Sequence, residues 1–225
     1  MTHEADPISR LSARRGLRLG IMGGAFDPVH IAHLVAAQEA LTQFGLDEVV
    51  FMPSGQPPHK KRRLASPEFR YRMTVAATAS NPRFSVSRLE IDQPGTDYTV
   101  DTLEYLKGAL QPDAVLFFIT GADAVLDILS WKDPQGVLAR CTLLAATRPG
   151  FDLSRLASVL ASLGAGVVGT GPEAKVRVMD VPGLDISSSM IRQRIAAGLP
   201  VRYLVPDAVC DLIDSSDEYR PGSGI

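Results

Sequence analysis

Ala114-Val-Leu-Phe-Phe-Ile-Thr120 is apolar without a break from Ala114 to Ile119. A strand wetted on one face alternates apolar and polar side chains. One covered by helices on both faces does not, so this run reads as a central strand of a parallel sheet. Working outward, Leu17-Arg-Leu-Gly-Ile-Met22, closed by Gly23-Gly24, and Glu48-Val-Val-Phe-Met-Pro53 are shorter runs of the same kind. Further strands are expected at 84–91, 141–147 and 176–180. Helical patterns fall between them. One covers 31–44 and stops at Gly45, a natural left-handed cap. Another is opened by Ser66-Pro67-Glu68, which supplies a cap, a first-turn proline and an acid, and runs to about residue 80. In 99–110, Val100, Leu103, Leu106 and Leu110 share one helical face. A short helix after Gly121 and helices at 153–163, 188–197 and 206–215 complete the series. Alternating β and α segments predict an α/β fold: a doubly wound, Rossmann-like parallel sheet in a single domain with a small helical C-terminal part. Residues 1–16 read as a flexible N-terminal extension, 17–215 as the domain and 216–225 as a C-terminal tail.

Composition narrows the function. The 225 residues are 45% hydrophobic and 21% charged, as in ordinary globular domains, so disordered and collagen-like classes are excluded. A net charge of −2 and a pI near 6.1 lack the basic excess of a nucleic-acid coat. Cys141 and Cys210 form no CxxC pair, which excludes a disulfide scaffold and a cysteine zinc site and fits a reducing cytoplasm. No apolar stretch reaches the roughly 18 residues of a membrane span. The first 16 residues lack the apolar region of a signal peptide.

In an open parallel sheet, ligands bind beyond the carboxyl ends of the strands. The first such end reads Gly23-Gly24-Ala25-Phe26-Asp27-Pro28-Val29-His30-Ile31-Ala32-His33. Glycines let the backbone approach a ligand closely. His30 and His33, three apart, share a face of the first helical turn, where unpaired N–H groups and the positive end of the dipole already favour an anion. A polyphosphate suits that arrangement. A metal site lacks a third ligand at a usual spacing, and two surface histidines on an ordinary helix are the plainer alternative. Neither a G-x-G-x-x-G nor a G-x-x-x-x-G-K-[ST] pattern occurs, which disfavours a hydride-transfer or P-loop enzyme. A second candidate is Asp185-Ile-Ser187-Ser188-Ser189-Met-Ile-Arg192: hydroxyls at a helix start, with an arginine leaning back over Ser187 and Ser188. Its alternative is an ordinary cap with a solvated arginine. Two such helix starts on one sheet favour the phosphate reading.

Together these segments resemble the nucleotidylyltransferase superfamily, with its GxFDPxHxGH and ISSTxIR signatures. More closely, the chain resembles the bacterial nicotinate-nucleotide adenylyltransferase family. Pro57-Pro58-His59-Lys60, Tyr98-Thr99, Gly121-Ala-Asp123 and Trp131-Lys132 follow in family order. The likeness runs from about Leu17 to Ile213. Ala32 stands where the family has glycine and Ser189 where it has threonine. The resemblance implies that nicotinate mononucleotide and ATP give deamido-NAD and pyrophosphate, with Mg2+ carried by the ATP phosphates and no protein metal ligands. It implies direct in-line attack on the α-phosphorus. His30, His33 and Arg192 are then the expected catalytic residues. ATP is expected to lie against Gly24, Ala25, Phe26, Asp123, Ser187, Ser188 and Lys60. Nicotinate mononucleotide is expected at Tyr98, Thr99, Trp131 and Lys132. An indole face attracts the cationic pyridinium, and a helix N-terminus at Thr99 suits a carboxylate. Relatives acting on nicotinamide mononucleotide or phosphopantetheine are the alternatives. Neither a nucleic-acid nor a membrane partner is expected.

Overall fold

Alternation is present inside the apolar runs, between two cores instead of between core and water. In Val115–Gly121 (β4), Leu116 and Phe118 enter one core, Phe117 and Ile119 the other. The same split separates Ile21 from Met22 in Arg18–Gly24 (β1), and Val50 and Met52 from Val49 and Phe51 in Glu48–Pro53 (β2). Each strand is apolar on both sides because each side meets a helical layer.

The structure, a computed structural model, describes residues 6–58, 63–147, 153–161 and 174–219. With Phe84–Val86 (β3), Thr142–Thr147 (β5) and Val176–Asp180 (β6), the described strands form one sheet in the order β3-β2-β1-β4-β5-β6. Every pairing is parallel. The helices are Pro7–Leu11 (α1), Ile31–Gln43 (α2), Pro67–Thr78 (α3), Leu89–Asp92 (α4), Thr99–Ala109 (α5), Ala122–Leu126 (α6), Pro134–Arg140 (α7), Leu153–Ala161 (α8), Ser188–Ala196 (α9) and Asp207–Asp214 (α10). Helices α1, α5, α6, α7 and α8 cover one face, through Leu11, Leu103, Val125, Val137 and Leu156 among others. Helices α2, α3, α9 and α10 cover the opposite face, through Leu41, Met73, Ile191 and Ile213. The doubly wound, Rossmann-like sheet expected from the sequence is present. No helix among the described residues is long and apolar enough to cross a membrane.

Four local expectations are corrected. First, residues 7–16 are not a loose start. Asp6 caps α1 by accepting from Ile8 N–H, Pro7 opens the helix, and Ile8 and Leu11 are buried against the sheet. Asp6 also accepts from the Ser87 hydroxyl and Arg88 N–H, and Arg10 pairs with Glu48. Second, the strand expected over 84–91 stops at Val86. β3 is an edge strand with three register partners on β2, after which Ser87 Oγ accepts from Leu89 N–H and the chain turns into α4. Third, α7 fills a stretch where no element is expected. Its signal is Asp133-Pro134: Asp133 accepts from Gly136 N–H and Pro134 opens the helix. Fourth, the start of the expected tail is packed, for Tyr219 lies in the core beside Phe69.

Candidate active site

Strand order reverses between β1 and β4, which pair directly although 90 residues of chain separate their ends from one another's start. The crevice beyond their carboxyl ends is where such sheets bind ligands. β1 ends in Gly23-Gly24 and the chain crosses the crevice as Ala25-Phe26-Asp27-Pro28-Val29, with a cis peptide before Pro28, to reach α2. Side chains at both glycines would crowd aromatic rings. A Cβ at Gly23 would meet Phe118 at 3.1 Å, and one at Gly24 would meet Phe26 at 3.3 Å. Phe26 adopts φ +48°, which tucks its ring under the loop and edge-on to His33, 5.1 Å between centroids.

His30 is the N-cap of α2 and His33 its third residue; their rings stack at 3.7 Å. His30 N–H donates to His33 Nδ1 at 3.2 Å. An accepting Nδ1 assigns the proton of the neutral ring to Nε2. Burial, with the charge of His30 adding to it, holds the His33 pKa well below the usual histidine value. His33 is therefore a neutral N–H donor at pH 7.

Arginines hold this loop from behind and beside. Arg70, fully buried, donates to the carbonyls of Ala25 (2.7 Å), Ala65 (2.9 Å) and Gly55 (3.3 Å). It ties the β1–α2 loop to the two ends of the 54–65 loop. Arg192 on α9 donates to the Asp27 carbonyl at 2.5 Å and to Ser189 Oγ at 3.0 Å. The expected reach over Ser187 and Ser188 is not what the geometry shows. Ser187 Oγ caps α9 by accepting from Met190 N–H, and Ser188 Oγ donates to the Pro28 carbonyl. Ser189, at the threonine position of the family signature, keeps the hydroxyl that the guanidinium uses.

Two adjoining cavities share this loop. The larger, about 760 Å³, is lined by Gly24, Ala25, Phe26, His30, His33, Asp123, Ser187, Ser188 and Arg192. Every described residue expected to contact ATP is among them. Asp123 lies in the first turn of α6 and lines the cavity. The smaller, about 320 Å³, is lined by Tyr98, Thr99, Trp131 and Lys132, all four expected at the second nucleotide. Gly23, Gly24, Ala25 and Thr120 line both. Thr99 is the first residue of α5, as its pattern predicts. Trp131 stands edge-on to Phe118 at the cavity wall. Lys132 is paired with Asp101 at 2.7 Å and lies over the Tyr98 ring, so its charge is already partnered. Lys60 lies outside the described residues.

Several site residues carry no role in the sequence reading. Glu90 and Asp97 line the smaller cavity. Glu90 is buried, accepts from the Thr102 hydroxyl at 2.7 Å and is pushed up to about 7 by burial, with Asp97 adding to the shift and the hydroxyls of Thr102 and Ser54 opposing it. Asp97 is raised by burial and accepts from Gln56 N–H. Gly55 explains why this corner is tight: a Cβ there would stand 2.5 Å from the Glu90 carbonyl. A lone Glu in the short helix α4 has no spacing that marks it, so only the fold brings it to the site. Among the described residues, no group of three or more His, Cys, Asp or Glu side chains is arranged to hold a metal ion.

A cytidylyltransferase-like family model matches residues 21–194. A Moorella thermoacetica protein is 49% identical over 205 residues, covering 91% of this chain and 92% of that one. A Streptomyces coelicolor protein is 51% identical over 200 residues, covering 88% and 99%. Both carry the name "Probable nicotinate-nucleotide adenylyltransferase". The chain belongs to the nicotinate-nucleotide adenylyltransferase family. Its fold is shared by a Plasmodium falciparum nicotinic acid mononucleotide adenylyltransferase, solved in complexes with APC and with NaAD. The APC complex has a TM-score of 0.71 at 18% identity, over 90% of this chain and 97% of that one. Within this family frame, the two signature segments of the chain, at His30–His33 and Ser187–Arg192, meet across the larger cavity, and the Tyr98-Thr99 and Trp131-Lys132 segments meet across the smaller.

Proposed function

We propose that this chain is an enzyme that transfers the adenylyl group of ATP to nicotinate mononucleotide, giving deamido-NAD and pyrophosphate. The observation that carries this reading is the pair of cavities meeting along Gly23–Ala25. One is lined by imidazole, hydroxyl and guanidinium groups and the other by an indole and a helix N-terminus. Family membership and the similar structures with APC and NaAD support it.

The mononucleotide 5′-phosphate attacks the α-phosphorus of ATP in line. The new P–O bond forms as the bond from the α-phosphorus to the pyrophosphate oxygen breaks. No enzyme-bound adenylyl group forms. The chain's task is to hold two anions end to end and to stabilise charge on the transferred group. Orientation of this kind contributes roughly 7–11 kcal/mol to such reactions. In this reading His33 Nε2–H donates to the α-phosphate and the bridging oxygen, and His30 supports it. Arg192, Ser187 and Ser188 hold the β- and γ-phosphates, with Lys60 over them. Asp123 accepts from a ribose hydroxyl. ATP brings Mg2+ on its own phosphates, which offsets the charge of the leaving pyrophosphate. Trp131 faces the cationic pyridinium, and the α5 N-terminus at Thr99, beside Tyr98, receives the ring carboxylate. The Lys132–Asp101 pair leaves the helix terminus as the principal donor. The buried, thiol-only Cys141 and Cys210 suit a reducing cytoplasm.

The test is pyrophosphate release from ATP and Mg2+ with nicotinate mononucleotide, nicotinamide mononucleotide and phosphopantetheine in parallel. Release at least tenfold faster with nicotinate mononucleotide is expected. Equal release with the amide would remove the carboxylate reading of Thr99. Turnover with phosphopantetheine alone would move the chain to a sister activity.

A further inference from the structure

The segment after α10 returns to the loop that crosses the site. Tyr219 donates its phenolic proton to Asp27 Oδ1 at 2.7 Å, from 192 positions away. The contact is dry: Asp27 is 1% exposed and Tyr219 6%. The neighbouring Glu218 carboxylate accepts from both the N–H and the hydroxyl of Ser66, the N-cap of α3. This second anchor fixes the segment independently of the tyrosine.

Asp27 is a junction. Its Oδ1 also accepts from Ala65 N–H, at a longer 3.3 Å. Its Oδ2 lies 3.8 Å from Arg192 Nη1, and its carbonyl accepts from that same nitrogen. A buried carboxylate needs strong donors, and a guanidinium is the strongest partner within reach. Arg192 therefore has two competing claims: a full ion pair with Asp27, and the pose in which one nitrogen holds the Asp27 carbonyl, another holds Ser189, and the head lines the cavity. The Tyr219 hydroxyl bears on this choice by giving Asp27 Oδ1 a short donor in addition to the longer one from Ala65 N–H. We infer that Tyr219 is a positioning residue for the phosphate site: its hydroxyl satisfies Asp27, and Arg192 stays turned toward the bound triphosphate instead of collapsing onto the carboxylate. The inference rests on the reading of Arg192 as a ligand of ATP phosphates.

Tyr219→Phe keeps the buried ring and removes only the donor. Binding of ATP, measured by calorimetry on the full chain, is expected to weaken about tenfold, the size of one charge-assisted contact. The KM for nicotinate mononucleotide is expected to stay within twofold. The decisive comparison is in an Arg192→Ala background, where Tyr219→Phe is expected to change ATP affinity by less than twofold, because the group it positions is gone. A tenfold loss that persists there would show a merely structural tyrosine and overturn the inference. So would a single variant that binds ATP as the wild type does, or a wild type that does not bind ATP. If Tyr219→Phe melts below the assay temperature, it is paired with Asp27→Asn, whose neutral amide makes no competing ion pair. The double variant is then expected to bind ATP no more weakly than Asp27→Asn alone, and a further tenfold loss would contradict the inference. A wild type that binds ATP yet releases no pyrophosphate with any acceptor would overturn the proposed reaction and leave the binding comparison intact.

Discussion

At the scale of single residues, the site works by withholding charge. His33 is half-buried at the cavity wall and receives the His30 N–H at Nδ1, and desolvation holds its pKa well below the usual histidine value, so the ring is neutral. Its imidazole NMR signals are expected to show the Nε2–H tautomer throughout pH 6 to 8, and a midpoint near 6.5 would contradict the geometry. His33→Ala is expected to slow pyrophosphate release about 10²–10³-fold, the usual cost of losing a donor to a developing oxyanion. A loss under threefold would remove His33 from the chemistry. Glu90 is the second case. Its carboxyl rises from 4.5 to about 7. Between those values the folded chain holds a proton that the unfolded chain has released. Stability therefore falls as pH rises through this window, by about 3 kcal/mol, and stays lower above it. Glu90→Gln removes the titration, so its melting temperature is expected to vary less than the wild type's between pH 5 and 8. Parallel curves would show that the carboxyl titrates normally. Short-range patterns were enough to bring the histidines and Thr99 forward as cavity residues, and the family resemblance brought Trp131. Asp27, Arg70, Glu90 and Tyr219 were not legible, because partners that fix them at the site, Thr102 for Glu90, Ala25 for Arg70 and Tyr219 for Asp27, lie 12, 45 and 192 positions away.

Elements were legible in proportion to how local their causes are. β4 announced itself by unbroken apolarity, and α3 by Ser66-Pro67. Gly45, at φ +56°, closes α2 as its sequence position predicts. β3 was overextended, because Ser87 turns the chain into α4 while its partner β2 runs on to Pro53, a tertiary cause that a run of β-formers does not show. α1 was missed because five residues show no period; its evidence is tertiary, through Ile8, Leu11 and the Arg10–Glu48 pair. Leu11 is fully buried, so Leu11→Ala is expected to cost about 2–5 kcal/mol in urea unfolding. A loose N-terminal segment would tolerate the change within about 0.5 kcal/mol.

For the whole molecule, function follows from where the strand order reverses. The order β3-β2-β1-β4-β5-β6 sends one half of the chain to each side of β1. The two cavities share the loop leaving β1, and Gly23–Ala25 line both. Two reactants held against one stretch of backbone can react directly, so the chain needs no nucleophile of its own. The most direct test is exchange of labelled pyrophosphate into ATP, with and without nicotinate mononucleotide. Exchange only when the mononucleotide is present is expected. Exchange without it would require an adenylyl group on the enzyme and would contradict direct transfer, and absence of exchange in both cases would contradict the reaction itself.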